Sequence, residues 1–183
     1  MLLLIDSNNF CPIVSSDFSE EVYFDVIRKK TAALFSTASE AGARSVKCTD
    51  EMAQIAALFG ELIGIAFQIK DDIFDYYISD ELGKPTGNDM KEGKLTLPSL
   101  YVLNTLKDES MIALALKIRA LEATNVEIAQ FIEYVKDNGG IEYATKVMKD
   151  YRSKAIEVLP STASQDLKDA LISFIDYVIE RKK

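Results

Sequence analysis

Three aspartates interrupt an apolar run near the middle of the chain. In residues 67–75, which read FQIKDDIFD, Gln68, Asp71 and Asp75 follow the spacing i, i+3 and i+7, which predicts that they share one helix face. Carboxylates one turn apart among Ile and Phe repel each other and are costly to desolvate. A divalent cation offsets both costs, and Mg2+ is usually held by one or two carboxylates plus substrate phosphates. The pattern indicates diphosphate chemistry; the alternative is a solvated charged face.

A loop rich in glycine and lysine follows directly. Residues 83–94 read GKPTGNDMKEGK and carry three lysines close in sequence to the aspartates. The loop is not a P-loop, because Gly87 and Gly93 lie one residue too far apart and Leu95 follows the lysine where Ser or Thr is required. Alone it is typical of a charged surface turn. Beside the aspartates, its lysines could hold the oxygens of the same phosphate.

A basic cluster upstream is the third candidate. It consists of Arg28, Lys29 and Lys30, followed by Thr31. Such a cluster within a helix usually faces solvent, and we expect this of the first two residues. Lys30 shares a predicted apolar stripe with Ile27, Ala33 and Leu34, so we expect it to face inward, where a buried lysine needs an anion such as a diphosphate.

Composition excludes several classes of function. The chain has 183 residues, 48% of them hydrophobic, which predicts one domain over residues 1–183. A net charge of −8 argues against a nucleic-acid partner. The absence of histidine excludes imidazole-based catalysis and histidine-bound zinc. Two distant cysteines fit a reducing cytoplasm, and no segment reaches membrane length without a charge, so we expect a cytoplasmic protein with no membrane span.

Periodicity predicts an all-α fold. Residues 1–18 are expected to be irregular and residues 19–183 helical. A first helix should begin after Ser19 and end at Gly42. Its predicted apolar, inward-facing stripe includes Val22, Val26, Ile27, Ala33 and Leu34.

The second predicted helix runs from a Thr49 cap to about Ile78 and is apolar nearly all round, which is typical of a buried central helix. Helix should be absent from residues 83–93 and resume at about Leu95. Thr124 and Glu127 predict a capping box before one of several shorter amphipathic helices.

The three motifs together resemble the C-terminal half of a trans-type polyprenyl diphosphate synthase. The match is carried, in order, by Lys30-Thr31, residues 64–75 (GIAFQIKDDIFD), residues 83–89 (GKPTGND) and residues 93–98 (GKLTLP). The resemblance implies an antiparallel helical bundle of the isoprenoid synthase type around a deep cavity, usually a homodimer. It also implies site residues, with Mg2+ bound by Asp71 and Asp75, Asp72 alongside, and the allylic diphosphate held by Lys30, Thr31, Gln68, Lys84 and Lys94.

The implied reaction is prenyl transfer for isoprenoid biosynthesis. Mg2+ and lysines would draw the diphosphate from an allylic substrate, and isopentenyl diphosphate would attack the resulting carbocation and then lose a proton. The family has a first aspartate-rich motif, and nothing upstream of Lys30 supplies one. We therefore expect a partial synthase domain, inactive alone and prone to self-association through exposed apolar surface. The alternative is a non-catalytic helical subunit that associates with a complete synthase; a terpene cyclase fits less well, because that class usually replaces the Asp-Asp-x-x-Asp motif.

Overall fold

The computed structural model describes residues 18–77 and 86–181, and every regular element in these ranges is helical. The elements are α1 (Glu20–Ile27), a π-helical segment (Arg28–Ala32), α2 (Ala33–Ser45), α3 (Asp50–Phe74), α4 (Asn88–Lys91), α5 (Leu97–Leu106), α6 (Glu109–Arg119), α7 (Asn125–Asp137), α8 (Gly140–Glu157) and α9 (Gln165–Glu180). The predicted all-α class is confirmed. The predicted irregular leader falls almost wholly outside the described residues.

The first predicted helix is divided by the π-helical segment. Ser19 caps α1 as expected, its hydroxyl accepting a hydrogen bond from the Val22 amide. The prediction of an end at Gly42 is wrong, because Gly42 lies inside α2, which continues to Ser45. The π-turn is the less expected feature, since π-bulges are rare and concentrate at functional sites.

The predicted apolar stripe of this region is largely wrong. Val22 and Leu34 are 58% and 72% exposed, and Tyr23 and Ala32, which lay outside the predicted stripe, are buried. For Leu34 the physical reason is the wider π-turn: it inserts an extra residue into the helical repeat, so downstream positions rotate relative to an ideal α-helix. Val22 lies upstream of that turn and lines an open cavity instead of the core. Ile27 is the stripe member whose predicted burial is confirmed.

Helix α3 is the core of the fold. Thr49 caps it by accepting a hydrogen bond from the Met52 amide, as predicted, and the helix ends at Phe74; Ile78 lies outside the described residues. It packs between α2, which a short turn at residues 46–49 connects to it, and α8. In the described part of the chain it is the one helix long and apolar enough to cross a membrane. Half of that apolar stretch is buried against other helices, which accounts for its composition.

Two glycines allow α2 and the π-helical segment to lie directly against α3. A Cβ added at Gly64 would come within 2.6 Å of the Ala32 Cα, and one at Gly60 within 2.4 Å of the Phe35 carbonyl oxygen. Carbon atoms in ordinary contact are about 3.5–4.0 Å apart. The missing side chains therefore set the distance between the two helices at the level where Thr31 and Gln68 meet.

The remaining helices close the other side of the core. The predicted capping box is confirmed at the start of α7, where Glu127 and Thr124 satisfy each other's backbone amides. The expectation that residues 83–93 hold no helix is wrong for α4, a single turn that begins after Gly87 in the left-handed region (φ 73°). The next helix begins at Leu97 rather than Leu95.

Candidate functional site

A cavity of about 270 Å3 opens between α1, the π-helical segment, α3 and the loop before α5. Its polar lining comes from four separate stretches of sequence and consists of Ser19, Tyr23, Lys30, Thr31, Gln68, Asp72, Asp89, Lys94, Thr96 and Arg119. Its apolar wall includes Val22, Val26 and Leu100. Carboxylates, lysines and an arginine thus face one space, the combination expected for a metal-bridged phosphate ligand.

A chain of side-chain hydrogen bonds forms the floor of this cavity. The Thr31 hydroxyl donates to the side-chain amide oxygen of Gln68, Oε1, at 2.7 Å. The Gln68 amide nitrogen donates to Asp72 Oδ1 at 2.8 Å. The Tyr23 hydroxyl donates to Asp72 Oδ2 at 2.6 Å. The chain links α1, the π-helical segment and α3, and both oxygens of Asp72 are held.

Asp72 is the electrostatic centre of the cavity. Its side chain is buried, and burial raises the pKa of the carboxyl from 3.8 to about 7, against the lowering effect of its hydrogen bonds from Tyr23 and Gln68. Nearby Asp89 also has a raised pKa, first because of burial and next because of the charge on Asp75, with Lys94 opposing. Two carboxylates that are costly to ionise side by side favour a bound cation.

Two of the predicted site lysines, Lys30 and Lys94, line the cavity without being buried. Lys30 lines the cavity but is exposed, so its predicted burial is wrong. The π-turn places Ala32 in the core and leaves Lys30 at the cavity rim. Lys94 pairs with Glu92 and lies 3.8 Å from Asp89. Both ammonium groups are positioned where an anion entering the cavity would meet them.

Asp71 does not line the cavity. Its Oδ1 accepts a hydrogen bond at 2.6 Å from Arg181, just beyond α9. The same guanidinium donates to the Phe67 carbonyl oxygen and lies 3.9 Å from the Phe67 ring centroid. Gln68 therefore bonds Asp72, one turn along α3, whereas Asp71, on the other side of the same helix face, bonds Arg181. The role of Asp71 as a metal ligand stays a prediction.

Asp75 holds the loop that follows α3. Its two carboxylate oxygens each accept a backbone hydrogen bond at 3.0 Å, from the amides of Asn88 and Asp89. Its carbonyl oxygen accepts a third from Gly87 at 2.9 Å. This arrangement fixes the N-terminus of α4 and brings Asp89 to the cavity. Metal binding by Asp75 is still untested, and Lys84 lies outside the described residues.

The donor set fits a cation shared with a ligand. Among residues 18–77 and 86–181, no group of three or more acidic, cysteine or histidine side chains is spaced to enclose a metal alone. Asp72 and Asp89 nevertheless face the same cavity, and Mg2+ is commonly bound by one or two carboxylates with phosphate oxygens completing the shell.

Tyr23, Asp89 and Arg119 are among the cavity residues that were absent from the predicted site. Tyr23 lies seven residues before Lys30, a helical spacing that could have revealed it. Asp89 belongs to the loop of residues 83–94, in which only the lysines were predicted to bind a ligand. Arg119, at the end of α6, has no local signal, because only the packing of α6 brings it to the cavity.

Comparison with known proteins identifies the family. A model of the polyprenyl synthetase family matches residues 6–135. A short chain isoprenyl diphosphate synthase of Methanothermobacter thermautotrophicus is 39% identical over 171 residues, or 91% of this chain and 51% of that protein. The structure of a geranylgeranyl pyrophosphate synthase from Bacteroides thetaiotaomicron is 53% identical and superimposes with a TM-score of 0.85, covering 92% of this chain and 56% of that one.

A third relative carries ligands. A polyprenyl synthase from Caulobacter crescentus, solved with calcium and isoprenyl diphosphate, is 31% identical with a TM-score of 0.80, covering 90% of this chain and 51% of that one. The chain thus spans about half the length of the relatives it matches. Because the family model covers most of its residues, the chain belongs to the polyprenyl synthetase family.

Proposed function

We propose that this chain forms part of an Mg2+-dependent prenyltransferase that elongates an allylic diphosphate with isopentenyl diphosphate. One observation carries the proposal: acidic and basic side chains from four stretches of sequence line a single cavity that also has an apolar wall. A prenyl diphosphate has the matching chemistry, since its diphosphate is anionic and its tail apolar.

The residues of the cavity have distinct tasks in this reaction. Lys30 and Lys94 donate hydrogen bonds to phosphate oxygens, which stabilises the negative charge that grows on the diphosphate as the allylic C–O bond breaks. Thr31 and Gln68 orient Asp72 on the floor of the cavity through their hydrogen bonds. Asp72 and Asp89 would hold Mg2+, with Asp71 and Asp75 as the further ligands that the sequence predicts. When bound, the metal neutralises charge on the leaving group.

The complete reaction needs more than the described cavity. The released diphosphate can take the proton lost after the new C–C bond forms, so the absence of histidine is no obstacle. The relatives are about twice as long. The described residues supply one wall of the cavity that carries aspartates. We propose that additional polypeptide completes the site, in a cytoplasmic homodimer or in association with a full-length synthase.

Binding of inorganic pyrophosphate tests the site directly. Calorimetry should show that the chain binds pyrophosphate in the presence of Mg2+ and far more weakly without it. Lys30→Gln and Lys94→Gln should each weaken binding about 10-fold, since a hydrogen bond to a charged group contributes about 1.5–3 kcal/mol. Lys146→Gln is the matched control, because Lys146 lies on α8 outside the cavity and pairs with Asp150. Equal affinities across all variants would contradict the proposed site.

Turnover tests the proposed incompleteness. With farnesyl diphosphate, isopentenyl diphosphate and Mg2+, the chain alone should elongate little. Rapid elongation would show that no further polypeptide is needed. Pyrophosphate binding without elongation by the chain alone, together with a changed turnover rate of an added full-length synthase, would favour the non-catalytic subunit.

A further inference from the structure

Tyr23 is a buried polar residue beside the cavity that the proposed chemistry has not used. Its ring is 8% exposed and packs edge-on against Phe24 with the ring centroids 5.2 Å apart. Its hydroxyl donates to Asp72 at 2.6 Å, across 49 residues of sequence. A tyrosine needs a hydrogen-bond partner when buried, but the partner here is the most buried carboxylate of the site.

The contact fixes how Asp72 presents itself to the cavity. A carboxylate held through one oxygen can still turn about its terminal bond. Asp72 is held through both, since Tyr23 binds Oδ2 and Gln68 binds Oδ1. Thr31 in turn binds the Gln68 oxygen, which directs the Gln68 amide nitrogen towards Asp72. The remaining lone pairs of the carboxylate therefore have one orientation relative to the cavity.

We propose that Tyr23 is a positioning residue that orients Asp72 for a metal–diphosphate ligand. This inference rests on the proposed function. Hydrogen-bond partners that orient a metal ligand typically contribute 10–100-fold to metal affinity. The Tyr23 hydroxyl contacts Asp72, and Tyr23 acts on the ligand through that carboxylate.

A matched pair of substitutions tests the proposal. Tyr23→Phe removes one hydroxyl and keeps the ring. Tyr143→Phe also removes a hydroxyl that donates to a carboxylate, at 2.8 Å to Glu20, away from the cavity. Calorimetry with Mg2+ and inorganic pyrophosphate should show affinity reduced about 10-fold in Tyr23→Phe and unchanged in Tyr143→Phe. Urea unfolding of both variants checks that each is folded.

A double-mutant cycle separates positioning from a general structural role. If Tyr23 acts through Asp72, removing its hydroxyl in an Asp72→Asn background should cause little further loss of affinity. Additive losses would overturn the proposal. Unchanged affinity in Tyr23→Phe, with a clear loss in Asp72→Asn, would overturn it while leaving the proposed function intact. If the wild-type chain binds no pyrophosphate with Mg2+, both fail.

A structural measurement decides the matter if Tyr23→Phe does not fold. A crystal structure of the wild-type chain with Mg2+ and pyrophosphate should place the Tyr23 hydroxyl within hydrogen-bond distance of Asp72, with Asp72 bound to the cation. A hydroxyl directed elsewhere, or a cation bound without Asp72, would overturn the proposal.

Discussion

Gly64→Ala should disturb the fold and the candidate site together. The added Cβ would come 2.6 Å from the Ala32 Cα, about 1 Å closer than ordinary carbon contact. Because the obstacle is backbone, α3 and the π-helical segment must separate. Overpacking of this kind costs about 1–3 kcal/mol. Alanine also favours a helix over glycine by about 1 kcal/mol, which partly offsets the loss.

Gly42→Ala separates these two effects. Gly42 lies inside α2, and an added Cβ there meets nothing within 4 Å. That variant should gain about 0.5–1 kcal/mol of stability from helix propensity alone. The difference in unfolding free energy between the two variants, measured with urea, then reports the overpacking and should be about 1–3 kcal/mol.

The same displacement should reach the cavity. Thr31 adjoins Ala32, and Gln68 lies one turn beyond Gly64. Their 2.7 Å hydrogen bond would exceed hydrogen-bonding distance after a shift of about 1 Å. Pyrophosphate affinity should therefore fall in Gly64→Ala and stay unchanged in Gly42→Ala. Equal stability of the two variants would refute the close approach of the helices.

Three further predictions concern charge and capping. In the metal-free protein, stability should fall as pH rises from about 4 to about 7, by up to about 1.4 kcal/mol per unit, because the folded-state pKa of Asp72 is raised to about 7 and ionisation is then costlier in the folded chain. Asp72→Asn should flatten this slope in urea titrations; an identical slope would show that other groups cause it. Arg181→Ala should lower the free energy of unfolding by about 1–3 kcal/mol, because it removes the hydrogen bond to Asp71 and the stacking on Phe67. An unchanged free energy in urea unfolding would show that these Arg181 contacts do not stabilise the fold. Thr124→Ala should cost about 1 kcal/mol through loss of the α7 cap, and a neutral result in thermal unfolding would contradict the capping box.

Features that depend on local chemistry were predictable from the sequence. Ser19, Thr49 and Thr124 cap helices because each side chain accepts a bond from an amide three residues later, an interaction that depends on nothing outside one turn. The apolar composition of α3 likewise required a central position.

Helix geometry left the choice between adjacent carboxylates open. Consecutive residues are about 100° apart around a helix, so Asp71 and Asp72 lie on opposite sides of the direction in which Gln68 points. Sequence spacing grouped Asp71 with Gln68 on one face and did not decide which of the two carboxylates bonds Gln68. Tyr23 binds Asp72 from 49 residues upstream, and Arg181 binds Asp71 from 110 residues downstream. These distant partners decide which carboxylate meets the cavity.

The sequence by itself determined that this protein is helical, where three of its helices begin, and that acidic and basic groups accompany a buried helix. Only the tertiary structure decided that α1 is followed by a π-turn, that Lys30 lies at the rim of the cavity, and that Asp72 forms its floor. The physical reason is range: caps and amphipathic faces arise within a few residues, whereas the orientation of a site side chain depends on partners that only packing brings near.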